Sequence, residues 1–599
     1  MKKKIGFAVL AIAILLVIVK KYFYDKYTVQ VPNYPAVEKT VWLEQNWTSE
    51  QREWFHHADQ GTQTFDIPYE WFIALEQPAL FFTAPGLLSD PEYLDRFGFI
   101  ADDTIPGKPE LPVGFAHAGP MHDANGASMR NPQTNAEMTS LGLTCAACHT
   151  GRFTYQKTAV LIDGGPALTN LNEFQKAVAF SLLYTRYVPS RFDRFANRVL
   201  GPGASDEGKS GLRKQLEPVV SRVWKIIELQ AKVEHQTVDE GFARLDALNR
   251  IGDIVFAVDL DEPANWVAFS APVHFPRIWN SSWFGWVQYN GSIQQPMTRN
   301  AGEALGVGAK VNLTGSKDQL FASTAQIQKI FELEQALAGA PPPTAKTGFN
   351  GLTSPKWPPK ILPPIDTDLA AKGAALYKDR CQPCHMAPVS DPEFWSSNRW
   401  SPANSPGGPA LDLEMIPITH IGTDPSEAED MKNRTVKIPF GLGIASNEFG
   451  LALGQLVEFT VNHWYDSQQP PTPVGVREQM NGNRPNGIRA LLAYKVRPLN
   501  GVWATPPYLH NGSVPTIFAL LSPVEERPKE FCLGNREYDP VNLGYRTDCL
   551  PGGFKFDTSI RGNHNTGHEF SDDAKKPGVI GAALTPDQRH ALIEYLKTL

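Results

Sequence analysis

Two short segments of this 599-residue sequence combine cysteine and histidine at a spacing that can hold a redox cofactor. Residues 145–149 and 381–385 both read C-x-x-C-H, the attachment pattern of c-type haem. The two thiols add to vinyl groups on one edge of the porphyrin, and the adjacent histidine gives the iron its proximal imidazole. We therefore predict two covalently bound haem c groups, each with its iron, held by Cys145, Cys148, His149, Cys381, Cys384 and His385.

Other interpretations of the cysteines are weaker or stay open. Redox-active or zinc-binding dithiols also use the C-x-x-C spacing, but a histidine directly after both pairs is expected by chance in far fewer than one in roughly a thousand chains. The remaining pair, Cys532 and Cys549, encloses 16 residues. It could form a disulfide, worth ~3 kcal/mol in an exported protein, or remain as two thiols.

The second axial ligand decides what each iron can do, because two strong ligands favour electron transfer and an open position allows oxygen or peroxide to bind. His510 lies in the block TPPYLHNGSV, between a proline turn and an Asn-Gly turn. Such a loop is stiff enough to hold an imidazole in place, although an ordinary turn histidine explains its position equally well. No comparable loop stands out for the first haem, so we expect its sixth position to be open.

The segment 278–307 contains the candidates for a substrate pocket. Trp283, Phe284 and Trp286 could line a dry pocket or carry electrons between haems, or they could simply be core aromatics. Glu303, with Gln294 or Gln295 before it, could accept the proton that heterolytic peroxide cleavage releases, although a solvated carboxylate is the simpler interpretation.

These sites need elements to position them, and the sequence predicts a mainly α fold. We expect two c-type cytochrome haem domains with long irregular loops and a few short hairpins. Periodic apolar residues predict helices over 208–235, 318–338 and 367–377. A last helix should begin with Thr585 as N-cap and Pro586 at its first position and end at Lys597, packed on the helix before the second motif.

Proline density and the N-terminal charges suggest the domain boundaries. We predict an N-terminal haem domain over 26–339, a proline-rich linker over 340–366 and a C-terminal cytochrome c domain over 367–599. Trp357 in the linker could relay electrons or anchor the segment. Residues 1–25 hold lysines on both sides of an apolar run, which predicts a retained signal anchor, or alternatively a cleaved signal peptide. Either would place the body on the periplasmic side of the inner membrane.

Several blocks together resemble one family, the RoxA-like di-haem cytochromes, which include the rubber oxygenases. These blocks are WVQYNGSIQQPMTRNAGEALGV, SPKWPP, TPPYLHNGSVPT and RPKEFCLGNREYDPVNLGY, in addition to the two haem motifs. The resemblance implies His149 and His385 as proximal ligands and His510 as distal ligand of the second haem. It also implies dioxygen activation at the first haem, in an aromatic-lined pocket for which Trp283, Phe284 and Trp286 are candidates.

More distantly, the chain is similar to the bacterial di-haem peroxidases and MauG, where a glutamate at the position of Glu303 is the acid–base group. The favoured function is therefore an oxygenase that cleaves an apolar alkene-type substrate, small or polymeric. A peroxidase or a non-enzymatic electron carrier is the alternative. Expected partners are dioxygen or peroxide, a redox protein or quinol, and the membrane through the N-terminal helix. The net charge of −7, without a basic run beyond the N-terminus, argues against nucleic acid.

Overall fold

The computed structural model describes residues 28–79, 85–102, 111–123, 126–340, 342–405 and 407–599. Helix makes up 37% and strand 14% of the structure, so the fold mixes α and β and is not clearly the mainly α fold predicted. The strands were underestimated because each has only two to six residues, too few for an alternating pattern to stand out.

The first motif lies among the helices of the first half in chain order. In chain order they are Ser49–His57 (α1), Tyr69–Phe72 (α2), Pro91–Arg96 (α3), Leu171–Tyr187 (α4), Pro189–Leu200 (α5), Asp206–Val233 (α6), Ala247–Gly252 (α7), Pro296–Gly306 (α8) and Ile327–Ala338 (α9). The helix predicted over 208–235 is thus present as α6. The one predicted over 318–338 begins only at Ile327, because the residues before it form turns.

Helices of the second half surround the second motif. They are Thr367–Arg380 (α10), Gln382–His385 (α11), Pro392–Trp395 (α12), Ile418–Ile421 (α13), Ser426–Asn433 (α14), Phe449–Ser467 (α15), Val474–Met480 (α16), Ile517–Leu520 (α17) and Pro586–Leu596 (α18). The predicted start of the last helix is confirmed, since the Thr585 side chain accepts a hydrogen bond from the Gln588 backbone and Pro586 is the first helical residue.

The strands pair mostly in twos. They are Lys39–Trp42 (β1), Phe115–Pro120 (β2), Thr139–Leu143 (β3), Thr150–Tyr155 (β4), Thr158–Asp163 (β5), Arg244–Leu245 (β6), Val273–His274 (β7), Met415–Pro417 (β8), Ala493–Lys495 (β9), Glu530–Leu533 (β10), Tyr538–Asp539 (β11), Gly544–Tyr545 (β12), Phe554–Asp557 (β13), Glu569–Phe570 (β14) and Val579–Gly581 (β15). One sheet has three strands in the order β1-β5-β4, with β1 parallel and β4 antiparallel to β5. Among the two-stranded pairs, only β14 and β15 run parallel.

One hydrophobic core joins residues from both sides of the proline-rich segment. It contains Trp71 and Phe174 from the first half and Trp503 and Leu592 from the second. Trp357 is buried between them, with its ring centroid 5.1 Å from that of Trp503, and its indole N–H donates to the Pro363 carbonyl at 2.9 Å. The tryptophan therefore anchors the proline-rich segment in the core, while the predicted domain boundaries themselves stay a prediction.

Contacts distant in sequence complete the sheet that follows the first motif. The Thr154 backbone N–H donates to the Arg536 carbonyl at 2.7 Å, and the Tyr545 hydroxyl donates to the Arg152 carbonyl at 3.0 Å. The Arg536 guanidinium also forms an ion pair of 2.8 Å with Asp95. Close by in sequence, Cys532 and Cys549 form a disulfide, with Cα atoms 5.0 Å apart.

Helices α10 and α18 pack closely, as predicted, because Gly373 has no side chain at their crossing. A Cβ atom there would lie 2.0 Å from the Ala591 carbonyl oxygen. We expect Gly373→Ala to lower the free energy of unfolding by about 2 kcal/mol, since overpacking outweighs the better helix propensity of alanine. Gly475→Ala in α16 is the matched control, because no atom lies within 4 Å of its Cβ position. Equal denaturation midpoints for the two haem-loaded variants would contradict the close packing of α10 on α18.

The prediction of a membrane-anchored, periplasmic protein needs correction. Across the described ranges, no helix is both long and apolar enough to span a bilayer. A crossing needs about 20 mainly apolar residues. Helix α6 is long enough but carries charged residues along its length. Residues 1–25, on which the prediction rested, lie outside the described residues.

Candidate functional site

The two C-x-x-C-H segments fold into the same tight turn. The backbone N–H of His149 donates to the Cys145 carbonyl at 3.0 Å, and that of His385 donates to the Cys381 carbonyl at 2.8 Å. The first turn is a short 3₁₀ helix, Cys145–Ala147, capped by the Thr144 hydroxyl. The second turn continues directly from α10. Each turn thus brings its two thiols and its imidazole together, as haem attachment requires.

The four thiols of these segments are free, and none pairs in a disulfide. Burial raises the pKa of Cys145 to about 12 and that of Cys381 to about 12. Burial also raises the pKa of Cys148 and Cys384 above the ordinary value. Burial therefore keeps all four thiols in the neutral form.

Both predicted proximal histidines, His149 and His385, are oriented by a backbone carbonyl. His149 Nδ1 lies 2.8 Å from the Pro276 oxygen, and His385 Nδ1 lies 2.8 Å from the Arg497 oxygen. Because a carbonyl only accepts, Nδ1 carries the proton in each ring and Nε2 keeps its lone pair for a metal. Burial also lowers the pKa of His149 to about 4 and lowers that of His385, so both imidazoles are in the neutral, ligating form.

A cavity of about 80 Å³, partly open to solvent, lies beside the first motif. Cys145 and His149 form one side of it, and Phe284, Val287 and Glu303 are among the residues that complete it. In that part of its lining that the structure describes, His149 is the sole histidine and methionine is absent. The described lining therefore offers one imidazole and neither a second histidine nor a methionine.

Glu303, the predicted acid–base residue, lines this cavity. Its carboxylate accepts a hydrogen bond of 3.0 Å from the Gln288 amide, rather than from Gln294 or Gln295. Desolvation by the surrounding protein raises its pKa above the ordinary value, against the opposing effect of the Arg299 charge. The carboxyl is accessible from the cavity, so it can exchange a proton with a bound molecule.

The predicted aromatic lining is only partly assembled. Phe284 is buried and lines the cavity. Trp283 is absent from the lining, and its indole N–H donates to the Ala338 carbonyl at 3.1 Å. Trp286 is also absent from the lining and stacks against the Arg489 guanidinium, whose carbon lies 3.8 Å from the ring centroid. The geometry thus favours Phe284 and Glu303 over the two tryptophans as residues that touch a bound molecule.

Besides Arg299, three further cations line this cavity, namely Arg277, Lys495 and Arg497. Burial lowers the pKa of Arg277 to about 9 and that of Arg497 to about 10. Burial, followed by the neighbouring Arg497 charge, lowers the pKa of Lys495 well below its ordinary value. The lining of the cavity is therefore rich in positive charge that the protein surrounds.

At the second motif, the imidazole next to His385 belongs to His568. The ring centroids of His385 and His568 are 6.2 Å apart. Two metal–imidazole bonds of about 2 Å, with the ring radii added, place axial imidazoles on one iron about 6 Å apart. Burial, His385 and Arg527 lower the pKa of His568 to about 3, so it too is a neutral imidazole. The pair has the spacing of a bis-histidine haem.

Close backbone packing places His568. It directly precedes β14, and its N–H donates to the Ile421 carbonyl at 2.9 Å. The neighbouring Gly567 has a φ of +68°, and a Cβ atom there would lie 2.2 Å from the Gly422 carbonyl carbon. Only glycine allows this approach, which fixes the direction in which His568 leaves the backbone.

His510, the predicted distal ligand of the second haem, lies in a different environment. Its ring stacks on Tyr494 at a centroid distance of 3.9 Å and meets Tyr289 edge-on at 6.1 Å. Burial lowers the pKa of His510 to about 4, against the opposing effect of Asp424. Its loop is closed by a hydrogen bond of 2.7 Å from Tyr508 N–H to the Val514 carbonyl, consistent with the stiffness expected. Ligation by His510 stays a prediction, with His568 as its competitor.

The residues at both motifs fit covalent haem. Free neutral thiols, imidazoles with an available Nε2, a cavity at one motif and a second imidazole near His385 at the other agree with that cofactor. Sequence reasoning missed His568, Arg277 and Arg497. His568 is one histidine among 14 and shows no motif, although its glycine neighbour was a usable signal.

Comparisons with known proteins agree with a cytochrome. Residues 493–532, which include Lys495, Arg497 and His510, match the family described as RoxA-like, cytochrome c-like. The chain is 57% identical over 596 residues to the uncharacterized protein y4iJ of Sinorhizobium fredii, covering 99% of this chain and 98% of that protein. It is also 26% identical over 349 residues to the uncharacterized protein y4iM of the same organism, covering 55% of this chain and 65% of that protein.

Proposed function

Because this chain belongs to one family with the Sinorhizobium fredii protein y4iJ and carries a RoxA-like, cytochrome c-like segment, we propose that it is a di-haem c-type cytochrome acting as a redox enzyme. Its first haem would activate dioxygen for the oxidative cleavage of an apolar alkene-type substrate. Its second haem would transfer electrons to or from a redox partner protein or quinol.

The asymmetry between the two motifs carries this proposal. The His385 and His568 ring centroids are 6.2 Å apart, whereas His149 lines a cavity without a second histidine or methionine in the described lining. A haem with two imidazoles suits electron transfer, and a haem with an open position binds dioxygen or peroxide. One site of each type in a single chain is the arrangement of an enzyme rather than of a simple carrier.

The cavity residues would divide the work on an apolar substrate. Phe284, Val287 and Ile278 present hydrocarbon surface that orients an alkene and excludes water. Glu303 holds or releases a proton near the bound molecule, and Gln288 fixes the direction of its carboxyl. Cleavage of the alkene to two carbonyl compounds takes both oxygen atoms of one dioxygen, so the overall reaction needs no further reductant.

Coordination of the first iron tests the proposal. The full chain should be purified with its haems, reduced without oxygen, and examined by visible and EPR spectroscopy with and without carbon monoxide. We expect one haem to be high-spin and to bind the gas, and the other to stay low-spin. Two low-spin haems that do not bind carbon monoxide would contradict the proposal. They would favour a non-enzymatic electron carrier instead.

A peroxidase is the second candidate, favoured by the position of Glu303 in the cavity. If peroxide is the substrate, Glu303→Gln should lower turnover by about 10²–10⁴-fold, because a general acid–base group is lost. Alkene cleavage in the same variant should change by only a few-fold. Glu332→Gln, at an exposed position of α9, is the matched control. Unchanged peroxide turnover in Glu303→Gln would exclude the acid–base role of this residue.

A further inference from the structure

Two arginines cross between the loops that hold the proximal histidines. Pro276, whose carbonyl orients His149, is followed by Arg277, and the Arg277 guanidinium donates to the Pro498 carbonyl. Arg497, whose own carbonyl orients His385, donates from its guanidinium to the Arg277 carbonyl at 2.6 Å. The two side chains thus reach in opposite directions between the two loops, and both line the first cavity.

These arginines and Lys495 lack a counter-ion. Among the described residues, no carboxylate lies within ion-pair distance of any of the three. The Nε atom of Arg497 is buried without a hydrogen-bond partner. The Lys495 ammonium is satisfied only by a carbonyl, that of Trp286, at 3.0 Å. Glu427 attracts Lys495 but is not bonded to it. Enclosed charges are costly unless an opposite charge accompanies them.

Arg299 is a cation of the same cavity that does form an ion pair. It also lines the space beside His149, yet it forms an ion pair with Glu334, which in turn accepts a hydrogen bond of 2.9 Å from Asn300. The unpaired charge is therefore specific to Arg277, Lys495 and Arg497, and it faces the space that the first haem would occupy.

We propose that Arg277, Lys495 and Arg497 bind the propionate carboxylates of the haem attached at Cys145 and Cys148. The inference rests on the proposed function, because a c-type haem is the source of the carboxylates. An arginine fork matches a carboxylate in two parallel hydrogen bonds, and a lysine adds a point charge. Positive charge this close to the cofactor stabilises the reduced iron and raises the reduction potential of the first haem.

The test removes one charge at a time in the full haem-loaded chain. Lys495→Met and Arg277→Met take away a cation of the cavity wall, and Arg277→Lys keeps the charge. Arg489→Met is the matched control, because this guanidinium stacks on Trp286 and is not part of the cavity lining. The reduction potential of the gas-binding haem is measured by spectroelectrochemical titration, which does not depend on enzyme activity.

We expect each charge-removing variant to lower the ratio of reduced to oxidised first haem about tenfold at a fixed potential, equivalent to about 59 mV. Arg277→Lys and Arg489→Met should stay close to wild type. An unchanged reduction potential in Lys495→Met, and in Arg277→Met if that variant folds, would overturn the assignment of the propionate ligands. The proposed function would still stand in that case, provided that the chain carries two covalent haems. A wild-type potential that follows the concentration of added phosphate would also overturn it, because a free anion would then occupy the cations. Absence of covalent haem in the wild type would overturn both.

Discussion

Replacing His568 with leucine should convert the second haem from low-spin to high-spin, so that the number of gas-binding haems per chain rises from one to two. The reason is the distance of 6.2 Å between the His385 and His568 ring centroids, which leaves room for one iron with an imidazole on each side. Leucine fills a similar volume but has no lone pair to donate to the iron. EPR and the visible spectrum with carbon monoxide would measure the change.

Two further histidine variants make this result specific. His564→Leu is the matched control, because His564 lies four residues earlier and bonds to the Asp424 carboxylate at 3.2 Å. It should leave the second haem low-spin. His510→Leu distinguishes the competing ligand assignments. A high-spin second haem in His510→Leu, together with a low-spin one in His568→Leu, would reverse the assignment in favour of His510.

Replacing both cysteines of one motif with serine should lower the haem content from two per chain to one. The double variant Cys145→Ser, Cys148→Ser should also lose gas binding, since it removes the attachment of the haem beside the open cavity. The double variant of Cys381 and Cys384 should lose one haem and retain gas binding. Haem per polypeptide after denaturation, which leaves only covalently attached haem, is the measurement.

The third cysteine pair supplies the control for this experiment. The double serine variant of Cys532 and Cys549 should keep two haems per chain and lose about 3 kcal/mol of unfolding free energy, because it opens a disulfide rather than an attachment site. Gas binding that survives loss of Cys145 and Cys148 but disappears with Cys381 and Cys384 would contradict the roles assigned to the two haems.

The sequence predicts local structure correctly where a few neighbouring residues determine it. The C-x-x-C-H turns, the helix that begins at Thr367 and the Thr585 cap depend on hydrogen bonds within four residues, so they can be read directly. The Cys532–Cys549 bridge could only be given as one of two choices, because its geometry depends on a contact between separate segments, in which the Cys532 N–H donates to the Thr547 carbonyl at 3.3 Å.

Residues brought together from distant parts of the chain escaped prediction. His568 meets His385 across more than 180 intervening residues, through packing around Gly567 that has no short-range signature. Trp283 and Trp286 were selected for their aromatic character, yet other hydrogen-bonding and stacking partners keep them out of the cavity lining. Composition suggests which residues can do chemistry, but only the fold determines which of them share a space.

The partners of the strand after the first motif also constrain the order in which the protein can be made. Thr154 bonds to the Glu537 carboxylate across a separation of 383 residues, and the neighbouring backbone bond reaches Arg536. A ribosome therefore releases the first C-x-x-C-H segment long before the edge of its sheet can be completed. Loop closures of this length slow folding. The sheet that follows the first motif can thus close only after the C-terminal part of the chain has been made.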